Sequence, residues 1–480
     1  MDRKWRTLII VCVAIFMLLL DITVVNVALP KIQRDLNASF TDLQWVVDAY
    51  SLLLASVVLN AGSLGDLLGR KRVFLTGVVL FTAASAACGA ATSPLFLNLA
   101  RGAQGIGGAI MFAVSLALLS QEFHGRERGT AFGIWGATIG AAVAIGPLVG
   151  GALTEWAGWR WIFFVNLPIG ALCLLFGARV LHESRDEGHG GIDIPGQLLL
   201  SGGLFALVLG LLRGNDWHWS SGRVVGLLAG AAAALVSFGI VELRQERPMF
   251  DVRLFRVPAF AGAQIVAFTI SSAMFAQFLY LTLYLQNVLG YSPIQAGLRF
   301  LPLSMISFFV APVAGRLVGR VPVRVLLGTG MGLVALALYL MYGVHTSSGW
   351  TTLLAGFLVG GVGIGMVNPP LATTAVSVVP PQRAGMAAGV NNTFRQVGIA
   401  TGIAGLGAIF QSALDPRLSH AITAGAVHTT QARAEFIHGL NDILLVATFV
   451  ALAGAVLAFV LVRAEDFVAS GAPQPAADAA

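Results

Sequence analysis

Fourteen apolar runs separated by short polar stretches dominate the chain: about 7–29, 43–64, 73–91, 95–118, 130–153, 161–181, 197–213, 223–243, 259–288, 295–315, 322–344, 350–378, 391–413 and 440–462. Each is close to the ~20 residues an α-helix needs to cross a ~30 Å hydrocarbon core. The pattern predicts fourteen transmembrane helices. The seventh is the shortest, and the ninth is long enough to tilt or kink. An even number of crossings puts both chain ends on one side. With the N-terminus inside, the inner stretches hold most of the 29 Lys and Arg, and Arg101 and Arg395 are assigned to the apolar runs themselves. Cationic side chains accumulate on the cytoplasmic side, so both ends are expected there.

Composition agrees. The chain has 480 residues, 57% hydrophobic and 11% charged, with mean hydropathy +0.82. Soluble domains carry about 25% charged residues. A net charge of +6 would suit a nucleic-acid surface, but the basic residues cluster in loops beside the apolar runs. No nucleic-acid partner is expected. Cys12, Cys88 and Cys173 all lie inside runs and read as small buried hydrophobes. The eight histidines lie outside the runs without metal-ligand spacing. Asp2–Leu20 has the length of a signal peptide, but its apolar run continues through Asp21 to Leu29. A retained first span is expected.

Two acids fall well inside runs. A charge within the bilayer is costly and by default marks a functional site. Asp21 lies about 13 Å below the outer surface, Asp48 about 9 Å, and Arg101 at a similar depth, at 1.5 Å per helical residue. Two carboxylates and one guanidinium are expected to share a layer. They form either a neutralised ion pair that fixes helix packing or a proton site. Burial raises a carboxylate pKa and a neighbouring guanidinium lowers it, so a small rearrangement can switch protonation.

The loop GSLGDLLGRKR, Gly62–Arg72, joins two runs within a few residues. Gly62, Gly65 and Gly69 permit close approach and sharp turning. Asp66 and Arg70 stand among them. The loop reads either as a positive-inside anchor or as a hinge between moving helices. In GATIGAAVAIGPLVGGAL, Gly136–Leu153, glycines at 136, 140, 146, 150 and 151 present a nearly side-chain-free face, and Pro147 removes a backbone donor. That face suits an interface where two bundles slide. Gly146, Pro147 and Gly150 are its expected gating residues.

These strings resemble the major facilitator superfamily. The Gly62–Arg72 loop matches its signature between spans 2 and 3, departing at Leu67, where the family often has Arg. LDITVVNVALP, Leu20–Pro30, resembles the first-span motif of the fourteen-span drug:proton antiporters. LARGAQGIGGA, Leu99–Ala109, resembles the span-4 motif whose Arg takes part in proton transfer, and Arg101, Gln104, Gly105 and Gly107 match. The span-5 pattern resembles the motif found in exporters. WRWIFFVNLPIG (Trp159–Gly170), IDIPG (Ile192–Gly196), YLQNVLGYSP (Tyr284–Pro293) and NNTFRQVG (Asn391–Gly398) resemble the same antiporters. The resemblance implies that Asp66 contacts the cytoplasmic end of the first helix pair of the opposite bundle. Arg70 would support that lock.

The expected fold is an all-α membrane protein with a major facilitator fold, two six-helix bundles plus two inserted helices. The expected division is 1–190, the inserted pair 191–257, 258–463, and a disordered cytoplasmic tail 464–480. Such folds place substrate at the midplane. Asn26, Gln104, Met274, Phe275 and Phe278 are candidate substrate-facing residues, although the span-9 side chains equally suit lipid. Arg395, placed near the inner end of its run, reads as either a snorkelling Arg or a substrate contact. No Walker A, H-E-x-x-H or G-x-S-x-G pattern is present, so neither ATP hydrolysis nor an enzyme is expected. The reading is a monomeric, cofactor-free exporter of amphipathic or cationic molecules, driven by a proton gradient across a bacterial inner membrane. The alternatives are an exporter of a single metabolite or self-made antibiotic, and a non-transporting scaffold or sensor.

Overall fold

The computed structural model describes residues 2–185, 193–245, 248, 250–414 and 429–466. The described chain is a set of long helices: α1 (Arg3–Leu36), α2 (Phe40–Leu68), α3 (Arg70–Gly89), α4 (Pro94–Glu122), α5 (Gly125–Trp156), α6 (Trp161–Val180), α7 (Ile194–Arg213), α8 (Gly222–Arg244), α9 (Pro258–Val288), α10 (Pro293–Leu317), α11 (Val323–Met341), α12 (Leu354–Ser377), α13 (Ala384–Ser412) and α14 (Thr430–Leu461). Twelve helical stretches among the described residues are long and apolar enough to cross a membrane. The two other long helices are α5, which opens on Arg126, Glu127 and Arg128, and α13, which carries Asn391, Asn392 and Arg395.

Several helices run beyond their apolar runs because polar residues cap them. α1 continues to Leu36 and stops at Asn37, which takes the left-handed conformation (φ 48, ψ 41). Ser39 and Asp42 form a reciprocal capping box at the start of α2, and Ser292 with Gln295 forms another at α10. Ser93, Asp193, Ser221 and Thr429 cap α4, α7, α8 and α14. α9 does bend the regular ladder. Ser271–Phe275 and Tyr284–Val288 are π-helical turns.

Packing repeats along the chain. α1 lies on α5, α2 on α4, α3 on α4, and α3 and α1 on α6. The same pairs recur eight helices later: α9 on α13, α10 on α12, α11 on α12, and α11 and α9 on α14. The two sets meet mainly at α5 with α10 and at α2 with α13, with α13 also touching α4 and α12 touching α5. These contacts are themselves related by the eight-helix shift. α7 packs on α2 and α13, and α8 packs mainly on α7. Leu52 and Ala55 of α2, Val208 of α7 and Ala400 of α13 form one buried apolar cluster at this junction.

The expected tail and two loops fall partly outside this description. Residues 467–480, 186–192 and 415–428 lie outside the described residues. Asp466 accepts a hydrogen bond from the Ala259 backbone amide at 2.9 Å, so the described start of the tail is attached to the beginning of α9.

Candidate functional site

α1, α3, α4 and α6 bring five polar side chains together inside the first set of helices. Arg101 Nη1 donates to Asp21 Oδ2 at 2.5 Å and to Gln104 Oε1 at 2.7 Å. Gln104 Nε2 and Asn166 Nδ2 donate to Asp21 Oδ1 at 2.9 and 3.0 Å. Asn166 Nδ2 also reaches Ser85 Oγ at 3.0 Å. Asp21, Arg101, Gln104, Asn166 and Ser85 are all at most 2% exposed. A buried carboxylate is stable when paired and fully hydrogen-bonded, and this one has three donors. α2 holds the other side of the guanidinium: Arg101 Nε donates to the Val46 carbonyl at 2.9 Å, and its Cζ lies 4.3 Å from the Tyr50 ring centroid. Arg101 therefore joins α1 to α2, and the Asp21 contact is only one of its attachments.

A second polar cluster sits where α2 meets α13. Arg70 Nε and Nη2 donate to Asp66 Oδ1 at 2.9 and 2.8 Å. Across the interface, the Gly385 and Met386 amides donate to Asp66 Oδ1 and Oδ2 at 3.1 and 2.8 Å. Asp66 thus caps the first turn of α13, where free amides and the helix dipole favour an anion. Arg70 Nη2 donates onward to the Gln382 carbonyl at 3.0 Å. One turn back, Gly62 lies so close to the Gly385 carbonyl and Gly389 that a Cβ would collide with them. Gly69, at φ 109, makes the single-residue turn between α2 and α3. Glu183 accepts the Lys71 and Arg72 amides at 3.0 and 3.2 Å and so caps α3. The mirrored contact, α5 with α10, is closed at the same end by Gly129 against Gly315.

The Major Facilitator Superfamily model matches residues 11–403. The chain belongs to this superfamily. It is a transporter, not an enzyme. Among its relatives, the multidrug resistance protein Stp of Mycobacterium tuberculosis is 40% identical over 422 residues, covering 87% of this chain and 78% of that protein. The puromycin resistance protein pur8 of Streptomyces alboniger is 37% identical over 484 residues, 99% of this chain and 95% of that protein. The tetracenomycin C resistance and export protein of Streptomyces glaucescens is 37% identical over 415 residues, 85% and 76% of the two chains. The fold resembles the human organic anion transporter MFSD10, with TM-score 0.65 at 15% identity, covering 94% of this chain and 100% of that one. The proton:xylose symporter XylE gives TM-score 0.65 at 14% identity, with 96% of both chains covered.

Within this major facilitator chain, four expected placements change. Asp48 does not join the Asp21 cluster as a partner of Arg101. It pairs with Arg213 of α7 at 2.9 Å, and Arg213 also reaches Asp216 and Gln44 at 3.2 and 2.9 Å. Arg213 looked like a loop residue because it ends an apolar run, but it is 2% exposed. The partner of Asp66 is the start of α13, not the first helix pair of the opposite set. The glycine face of α5 is split. Gly136, Gly140 and Gly151 face α12 and α10, whereas Gly146 and Gly150 abut Thr23 and Val24 of α1. Six residues separate Gly140 from Gly146, which rotates the second pair to another side of the helix. Finally, Arg395 does not snorkel. Its helix begins at Ala384, which puts it eleven residues in and 5% exposed.

The remaining candidates disperse. Asn26 is exposed and Met274 is buried within the second set of helices. Phe278 packs on Phe300 at 5.3 Å and lines a small cavity with Ile139, Gly140, Ser307 and Asn368. The side chains of Pro147 and Phe275 lie outside the described residues. The sequence reading does not single out Asn166 or Ser85 as site residues. Their signal was available, since each is a polar residue inside an apolar run.

Proposed function

We propose that this chain exports amphipathic drugs or antibiotics from a bacterial cytoplasm in exchange for protons, by alternating access. In this reading, helices 1–6 (residues 1–190) rock against helices 9–14 (258–463) within fourteen crossings, and 191–257 forms an inserted pair. Both ends are cytoplasmic, the monomer is the working unit, and no cofactor is needed beyond the proton gradient across the inner membrane. The observation that carries the reading is the buried Asp21–Arg101 pair. A proton arriving on Asp21 would neutralise the carboxylate and remove the charge that holds Arg101. The guanidinium would then rest on Val46 and Tyr50 of α2. Asp21 lies half a turn from Thr23, which packs against Gly146 of α5. α5 in turn lies along α10. A change at Asp21 therefore has a packed route to the other set of helices. Relatives named for multidrug, puromycin and tetracenomycin C resistance support export as the direction.

The test is substrate-driven proton movement in proteoliposomes holding a pH-sensitive dye. Ethidium, a neutral amphiphile and an amphipathic acid are added in turn. Proton flux with at least one compound is expected. Transport with no accompanying proton movement would overturn the coupling.

A further inference from the structure

Arg395 is a buried cation, 5% exposed, with no counter-charge among the described residues. Its Nη2 donates to Asn368 Oδ1 at 3.0 Å and its Nε to Asn391 Oδ1 at 3.4 Å. Asn391 in turn donates to Gln264 Oε1 at 3.2 Å. All are neutral amides. Among the described residues no carboxylate pairs with Arg395. The buried guanidinium of the first set of helices, Arg101, does have one. A buried charge with only dipoles around it is expensive, and in a membrane such a residue marks the path of a ligand or ion.

A second observation comes from the opposite side of the interface. The indole Nε1–H of Trp135 on α5 is buried and has no acceptor among the described residues. Trp135 stacks on Phe112 with ring centroids 5.8 Å apart, and the Phe112 carbonyl receives Asn392 Nδ2 at 3.4 Å. The next residue of α5, Gly136, packs on Asn368. A spare donor on α5 and a guanidinium without a carboxylate on α13 thus both lie along the contact between the two sets of helices. Asn368 also lines the small cavity with Ile139 and Gly140 of α5 and Phe278 of α9.

We propose that Arg395, with Asn368 and Trp135, receives the acidic group of an amphipathic organic anion midway along the helices, between the two halves of the transporter. A carboxylate or acidic phenol would supply the missing counter-charge and accept the free indole N–H. Its apolar body would extend toward Phe278. The direction in which such a ligand travels rests on the export reading, but its binding does not.

The experiment uses the full-length protein in detergent and two probes with one apolar body, pyrenebutyrate and pyrenebutyramide. Equilibrium titration is followed by pyrene fluorescence against protein-free micelles. The wild type is expected to bind the acid about tenfold or more tightly than the amide, since hydrogen bonds to a charged partner are the stronger kind. Arg395→Gln should erase that preference while keeping amide binding, and Arg395→Lys should keep part of it. Equal affinities in the wild type, no binding of either probe, or a preference that survives Arg395→Gln would overturn the proposal. If Arg395→Gln does not fold, Arg395→Lys decides, because a preference for the amide there contradicts a cationic site. The titration uses no gradient, so failure of proton coupling would leave its outcome unchanged.

Discussion

The Asp66 carboxylate accepts the backbone amide of Met386 at 2.8 Å, joining residues 320 positions apart in sequence. The bond closes α2 onto the first turn of α13, and Arg70 braces the same carboxylate from its own helix. Asp66→Asn keeps the shape but removes the charge from two backbone bonds and an ion pair. Bonds of this charged kind contribute about 1.5–3 kcal/mol each. The closed arrangement should lose enough stability to lower turnover by about tenfold or more. Membrane insertion should be unaffected. Transport assays normalised to protein content check this, and normal turnover would rule out the latch.

Gly62 tests the same contact through packing. Its missing Cβ leaves room for the Gly385 carbonyl. Gly62→Ala should overpack the closed state by about 1–3 kcal/mol. Gly315→Ala should do the same where α10 meets Gly129. Turnover should fall in both variants, and a cysteine introduced at this end of the molecule should react faster with a thiol reagent.

The two faces of α5 should respond differently to the same change. A Cβ at Gly140 would meet Ser307 Oγ at 3.5 Å, an ordinary contact, whereas one at Gly146 would run into Thr23. Gly140→Ala should therefore be nearly neutral. Gly146→Ala should displace α1 beside Asp21 and alter the pH dependence of transport. Measuring pH profiles of both variants decides between this arrangement and a single sliding face.

Asp48 and Arg213 tie α2 to α7. Asn215, just beyond α7, reaches the Ala404 carbonyl of α13 at 3.2 Å. Removing one partner of a fully buried pair costs about 3–5 kcal/mol. Asp48 retains 22% exposure of its side chain, so Asp48→Asn should cost less, about 1–3 kcal/mol. It should lower the melting temperature in detergent while leaving drug-to-proton coupling intact. Loss of coupling with unchanged stability would place Asp48 in the proton path instead.

Much of this was legible in residue pattern. Apolar runs located the helices, and the isolated charges Asp21 and Arg101 found each other because few charges compete inside the runs. What pattern could not convey is which face each residue shows and which helix lies opposite. Asp48 was paired by depth, but depth does not reveal that α7 lies against α2. The α5 glycines shared a spacing close to helical, yet six residues between pairs turned them to separate neighbours. Arg395 looked peripheral because its helix starts seven residues before the apolar run. Asn166 and Asn368 carry no charge and stood out less, although each is a polar residue that the fold buries.

The central claim is that Asp21 carries the exchanged proton. The most direct measurement is substrate-driven proton flux in proteoliposomes, comparing the wild type with Asp21→Asn at equal protein content. The wild type should move protons with substrate. Asp21→Asn, which keeps the side-chain size and loses the titrating group, should bind substrate yet show no proton movement. Proton flux of wild-type magnitude in Asp21→Asn would contradict the account and move the proton site elsewhere.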